Sequence, residues 1–153
     1  MPYLQLDVPA YYPLEKKRRV AQRLGRHYAE VMQTTPDLVN VTFRELGEGG
    51  VWHCGKEAAT PSAVLMCEIR RGRPPEQRAR LGETLVKALV EELGLDPLHL
   101  AIEFTQHAGD EIYLSGMVDG VLQGSLGRDW TPGETSQPLM EQLVAEKRAS
   151  KSE

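Results

Sequence analysis

The 153-residue chain has little with which to staple itself or hold a metal. Its two cysteines, Cys54 and Cys67, form no C-x-x-C pair and no disulfide framework. Its four histidines (His27, His53, His99, His107) fall at no metal-ligand spacing, so neither a metal nor any other cofactor is expected. There is no basic excess: the net charge is −4, which gives no electrostatic footprint for nucleic acid. No apolar run reaches the length of a membrane span, and no segment resembles a signal peptide. A cytoplasmic protein engaging neither nucleic acid nor membrane is expected. With 41% hydrophobic and 26% charged residues, residues 1–153 suit one globular domain with a real core.

What the chain does contain is a repeat. Without gaps it matches itself at an offset of 61, through identities that include Leu4 and Leu65, Pro13 and Pro74, Glu15 and Glu76, Leu24 and Leu85, Glu30 and Glu91, Pro36 and Pro97, Phe43 and Phe104, Gly55 and Gly116. Prolines and glycines punctuate both copies, and the apolar positions between them keep one rhythm. Leu4, Leu6 and Val8 alternate, as do Leu65, Cys67 and Ile69, which predicts strands. Pro13 and Pro74 open helices, where a missing N–H is harmless. Val20, Leu24, Tyr28 and Val31 share one helical stripe; so do Leu81, Leu85, Leu89 and Leu93, with Gly94 as a C-cap. After Pro36 and Pro97 come LVNVTFREL and LHLAIEFTQ, both strand-like.

Each unit, 2–55 and 63–116, therefore reads strand-helix-strand, a parallel pair with a right-handed crossover. Together they predict an α+β fold, a four-stranded sheet with both helices on one face. The uncovered face is expected to carry apolar residues too, from Val41 and Phe43 against Thr42 and from Ile102 and Phe104 against Glu103. An apolar face of that kind predicts a homo-oligomer. Residues 117–153 lie outside the repeat: GRDWTPGETSQ reads as loop, PLMEQLVAEK as a short amphipathic helix and RASKSE as a frayed end.

Pro2 directly follows Met1. A proline at the first position of a strand is structurally harmless. A small residue there also lets the initiator methionine be removed, leaving a secondary amine. A doubled β-α-β unit opening on Pro2, together with NVTFRELGEGGVWHCG and the IRRGRPPEQ turn, resembles the tautomerase superfamily in its fused form. The first half looks like one 4-oxalocrotonate tautomerase subunit. Chain length and the Arg70-x-x-Arg73 spacing look most like the cis-3-chloroacrylic acid dehalogenase group. The resemblance spans residues 2–116 and implies assembly as a homotrimer.

It also implies that Pro2 is the catalytic base or acid. A model α-amino group titrates near about 7.7–8.0. An apolar pocket and guanidinium neighbours disfavour its protonated form, bringing it towards the working pH that a proton shuttle needs. Arg70, Arg71 and Arg73 read either as a solvated strand end or as a fork for a substrate carboxylate. Pro2 favours the fork for Arg70 and Arg73. Alternation turns Arg70 and Arg71 to opposite faces, so Arg71 is expected to contribute less to substrate binding. The dehalogenase group uses a histidine on the first helix; ungapped alignment brings Tyr28 there, with His27 beside it, and both also suit core packing. Trp52, with Val51, falls where relatives place an apolar wall over the substrate, and suits a core equally.

The chain departs from the pattern at three points. Asn40 stands where 4-oxalocrotonate tautomerase has a second arginine. Glu103 stands where the dehalogenase has a tyrosine. The dehalogenase's water-activating glutamate falls at Leu114, leaving Glu111 as the nearest substitute. The leading expectation is a tautomerase or isomerase of a small 2-keto or 2-hydroxy-unsaturated carboxylate. A hydrolytic dehalogenase or hydratase of 3-substituted acrylates, with Glu111 or Glu103 activating water, is the second. A non-catalytic ferredoxin-like assembly module, favoured if Met1 is retained, is the third.

Overall fold

The computed structural model describes residues 2–133, 144–146 and 148–149. Strand β1 (Tyr3–Val8) leads through Pro13 into helix α1 (Leu14–Met32), and a 3-10 turn at Pro36–Leu38 delivers β2 (Asn40–Glu45). Two short strands follow, β3 (Trp52–His53) and β4 (Thr60–Pro61). The pattern then recurs as β5 (Ala63–Arg70), α2 (Pro75–Leu93), a 3-10 turn at Pro97–His99 and β6 (Leu100–His107). A further 3-10 turn, Gly109–Glu111, precedes a hairpin of β7 (Tyr113–Val118) and β8 (Val121–Leu126). Both helices are 19 residues long and start 61 positions apart.

The sheet order is β2-β1-β5-β6. β1 runs parallel to β2 and β5 parallel to β6, while the two central strands are antiparallel. Each β-α-β unit is thus a parallel pair, and the units join at their first strands. Because Tyr3 pairs with Glu68, the start of β1 lies beside the ends of β5 and β6. The ends of β1 and β2 lie at the opposite edge, beside the start of β5.

Alternation sorts the strands. Leu4, Leu6, Val8, Leu65, Cys67 and Ile69 are fully buried against Val20, Leu24, Tyr28, Leu81, Leu85 and Leu89 of the helices. Each fully buried leucine contributes about 1.5–3 kcal/mol. The two helices are also joined by Arg19–Glu92 (2.8 Å) and by Arg23 with Glu91 and Glu92. These partly exposed pairs add little stability.

The face away from the helices corrects one expectation. Val41, Phe43, Ile102 and Phe104 pack against the helix-side core. The register pairs them with Leu4, Leu6, Leu65 and Cys67 respectively, and directly opposed residues share a face. The uncovered face instead presents Gln5, Asp7, Thr42, Glu68, Glu103 and Thr105, with Tyr3 and Met66 among them. It is a largely polar surface. Exposed apolar side chains gather on the hairpin: Tyr113, Met117, Val121, Leu122 and Leu126 are 49–70% exposed.

The repeat boundary read at residue 116 falls inside β7, and β8 lies beyond it. Of the helix expected over 138–147, residues 144–146 are described and are helical; the remainder lies outside the described residues. Of the expected frayed end, 148 and 149 are described, also as helix. Among the described residues, no helix is long and apolar enough to cross a membrane.

Candidate active site

Pro2 and Arg70 reach one end of the sheet from antiparallel neighbours. Pro2 is half-buried, and its carbonyl accepts a bond from the Asn40 N–H at 3.1 Å. Asn40, which replaces an expected arginine, is therefore the β2 residue that fixes Pro2. Arg70 donates from Nη1 to the Arg128 carbonyl at 2.9 Å.

Arg73 is 5% exposed and donates from Nε and Nη2 to the Met32 carbonyl, at 2.9 and 2.8 Å. Gln77 donates to the neighbouring Val31 carbonyl at 2.8 Å. Carbonyls in the last turn of a helix lack intrahelical donors and carry the negative end of its dipole. The arginine turn thus caps α1 and is anchored by it. Charged donors to such groups contribute about 1.5–3 kcal/mol. Arg71, by contrast, is exposed, and its side chain has no partner among the described residues.

The α1 stripe separates Tyr28 from His27. Tyr28 is 1% exposed. Burial pushes its phenol up to about 12, while the charges of Arg73 and Arg70 act in the opposite direction. Tyr28 therefore lies within the electrostatic reach of both arginines and keeps its proton at any ordinary pH. His27 accepts from Arg23 at 3.3 Å and joins the network between the helices. Of the two, only Tyr28 is brought to the arginine cluster.

The remaining candidates are dispersed. Trp52 is half exposed, its indole donates to the Gly49 carbonyl at 2.8 Å, and β3 pairs with β4 beyond the far end of β1. At about 3.3 Å per residue, β1 alone separates it from Pro2 by roughly 20 Å. Glu103 pairs with Met66 in mid-sheet on the uncovered face. Glu111, in the turn after β6, shares the Pro2 end, and its carboxylate accepts from the Ala108 N–H at 2.8 Å.

Two groups at this end were not anticipated. His107 neighbours Arg70 in the ladder and sits with Nδ1 3.1 Å from Glu68 Oε1, while Thr105 donates to Glu68 Oε2 at 2.8 Å. The Thr105 bond, helped by His107 and opposed by burial, holds the Glu68 carboxyl below its usual range. The His107 Nε2 is buried without a hydrogen-bond partner among the described residues. A histidine two residues after a strand threonine gives no sequence signal for this. The other group is Trp130, 6% exposed, whose ring centroid lies 5.1 Å from the Arg73 guanidinium carbon. A tryptophan in an otherwise polar loop was the available clue, since so large an apolar surface seeks burial. Among the described residues no cluster of His, Cys, Asp or Glu is built to hold a metal ion.

No protein-family model and no curated protein matches the chain. Solved structures do. N1, a member of the cis-3-chloroacrylic acid dehalogenase family, superposes with a TM-score of 0.70 at 22% identity, covering 94% of this chain and 99% of that one. A fused 4-OT symmetric trimer, Q0, gives 0.64 at 17% identity, covering 78% and 94%. Pt0534 inactivated by 2-oxo-3-pentynoate gives 0.63 at 21%, covering 78% and 94%. At these identities the likeness shows the fold alone, a doubled β-α-β unit shared with these proteins.

Proposed function

We propose that the protein is a tautomerase or isomerase of a small 2-keto or 2-hydroxy-unsaturated carboxylate, with Pro2, freed of Met1, as the proton carrier. The observation that carries this reading is the convergence of Pro2, Arg70, Arg73 and Tyr28 at one end of the sheet. The neutral amine takes the proton of the substrate's 2-hydroxyl, the C–O bond becomes a carbonyl, and the protonated amine returns a proton to carbon. Arg70 and Arg73 hold the carboxylate and stabilise the enolate charge that develops between the two transfers. Arg70 exchanges its bond to the Arg128 carbonyl for the substrate. Tyr28, neutral throughout, can donate to the enolate oxygen but cannot compete with Pro2 as base.

Reaction with 2-oxo-3-pentynoate, the compound that inactivates Pt0534, tests the reading. A neutral Pro2 amine adds to the alkyne, forming an N–C bond while the adjacent carbon takes a proton. One adduct, mapped to a chain starting at Pro2, is expected. An intact mass that retains Met1 and shows no adduct defeats the assignment and favours the non-catalytic module.

The assembly belongs to this reading. A trimer is supported by the fused 4-OT trimers of the same fold, by the open edges at β2 and β6 and by the exposed apolar hairpin. It would let Trp52 of one copy line a neighbour's site although it is remote from Pro2 within its own chain. Light scattering should give about three times the 17.1 kDa chain mass; a stable monomer overturns the trimer.

One observation favours hydrolysis as the second reading: Glu111 shares the Pro2 end. Rapid chloride release from 3-chloroacrylate, abolished by Glu111→Gln, would promote it.

A further inference from the structure

Four consecutive residues after the hairpin are bound to the arginine turn and its surroundings. The Gly127 N–H donates to the Ile112 carbonyl at 2.9 Å. The Arg128 carbonyl accepts from Arg70 Nη1 at 2.9 Å. The Asp129 carboxylate accepts from the Gly109 N–H at 2.7 Å. The Trp130 N–H donates to the Arg71 carbonyl at 2.8 Å, and its ring covers the Arg73 guanidinium.

The contact is close enough to dictate sequence on the other side. A Cβ on Gly72 would lie 2.0 Å from the Trp130 carbonyl oxygen, and one on Gly109 1.7 Å from the Arg128 carbonyl carbon. Gly72 also has φ +123°, which side chains rarely adopt. Both clashes are with backbone, which cannot swing aside. The segment therefore sits as an inextensible strap across the turn, with glycines beneath it.

We propose that Gly127–Trp130 presets the arginine turn for a carboxylate ligand, with Trp130 as the positioning residue for Arg73. This rests on the reading of Arg73 as a carboxylate holder. The physical reason is entropy. An arginine side chain has many rotamers, and fixing them when a ligand arrives weakens binding. Here the guanidinium is fixed beforehand: one edge faces the Met32 carbonyl and one face lies on the indole. A guanidinium over a tryptophan face is attracted to the ring's negative quadrupole and loses solvent there. A desolvated, pre-aimed cation binds an anion more strongly than a solvated, mobile one. The role differs from holding substrate, since Trp130 acts through Arg73.

Kinetics with phenylenolpyruvate on the full chain test this. Trp130→Leu should raise KM about tenfold, the scale of a desolvated cation–π contact, with kcat changed less than about threefold. Trp130→Phe, which keeps an aromatic face, should recover most of the loss. An unchanged KM in Trp130→Leu, or a Trp130→Phe variant as impaired as Trp130→Leu, overturns the proposal.

A second readout is independent of turnover. The emission difference between wild type and Trp130→Phe isolates Trp130 from Trp52. It should change on titration with phenylpyruvate, and Arg73→Ala should abolish that change. An inactive enzyme that still shows the Arg73-dependent signal refutes the tautomerase reading and leaves the strap intact. Normal turnover without the signal refutes the strap and leaves the tautomerase reading intact.

Discussion

The two ends of the sheet are related by the same 61-residue offset as the sequence, yet they differ in chemistry. At one end stand Pro2, Tyr28, Arg70, Arg71 and Arg73; the corresponding positions at the other are Ala63, Leu89, Pro9, Ala10 and Tyr12. Ala63 is an interior residue of the chain, 2% exposed, and so has no amine to offer. Where Gln106 would correspond, Glu45 accepts from the Tyr12 N–H and pairs with Lys17, both at 2.5 Å. The opposite end thus carries an ion-paired carboxylate where the Pro2 end carries a neutral amide. One fold carries both ends, so the difference lies in the side chains that each half supplies.

Breaking that comparison at its chemical centre should give the largest effect. Pro2→Ala is expected to lower turnover of phenylenolpyruvate by at least about 100-fold, the low end of what acid–base catalysis contributes. Tyr12→Phe, at the opposite end, should leave it within about twofold. Unchanged rates in a folded Pro2→Ala protein sink the proline assignment.

Next come the arginines. Arg73→Ala should lower kcat/KM and also destabilise the fold by about 1.5–3 kcal/mol, since it removes charged donors from the α1 terminus. Arg71→Ala should do neither to that degree, because its side chain is exposed and unengaged among the described residues. Urea titration beside steady-state kinetics separates the two effects. A larger loss at Arg71 would show that the turn presents the other arginine to substrate.

Acid should weaken both ends alike. Hydrogen bonds from Lys17 and the Tyr12 N–H lower the Glu45 carboxyl, and the Thr105 bond is the main cause lowering Glu68. Depressed carboxylates contribute stability that is complete above the unfolded value near 4.5. That contribution is lost as pH falls through their lower folded values. Urea midpoints between pH 7 and pH 3 should fall less steeply in Glu68→Gln and Glu45→Gln. An unaltered slope in both would place the acid sensitivity elsewhere.

The smallest effect compares the helix ends. Gln33 and Gly94 occupy matching positions after α1 and α2, and both are left-handed, at φ 55° and 66°. Glycine adopts that conformation without a Cβ penalty and glutamine does not. Gln33→Gly should therefore stabilise the protein, by about 1 kcal/mol. A loss of stability would mean that the Gln33 side chain is itself engaged.

Much of this was legible from local pattern. Periods of two and 3.6 marked the strands and both helices, because alternation and helical stripes are properties of short segments. The prolines and the 61-residue offset gave the doubling, and Pro2 with the arginine run marked one end. Contacts between distant positions were not legible. Val41 and Phe43 lie two apart and so must share a face, but only pairing with Leu4 and Leu6 makes it the core face. That register removed the apolar patch expected on the uncovered side.

The same holds at the candidate site. Adjacent His27 and Tyr28 were both candidates in sequence; the stripe turned Tyr28 inward, but only the packing of α1 set it within reach of the arginines' charges and His27 in the helix network. Arg73 meets Met32, Arg70 meets Arg128, and Trp130 meets Arg73 across 41, 58 and 57 positions of chain. Periodicity decides which residues turn inward together. What they meet there is decided by which distant segment fills the remaining space, because close packing and the need to satisfy buried polar groups act on all segments at once.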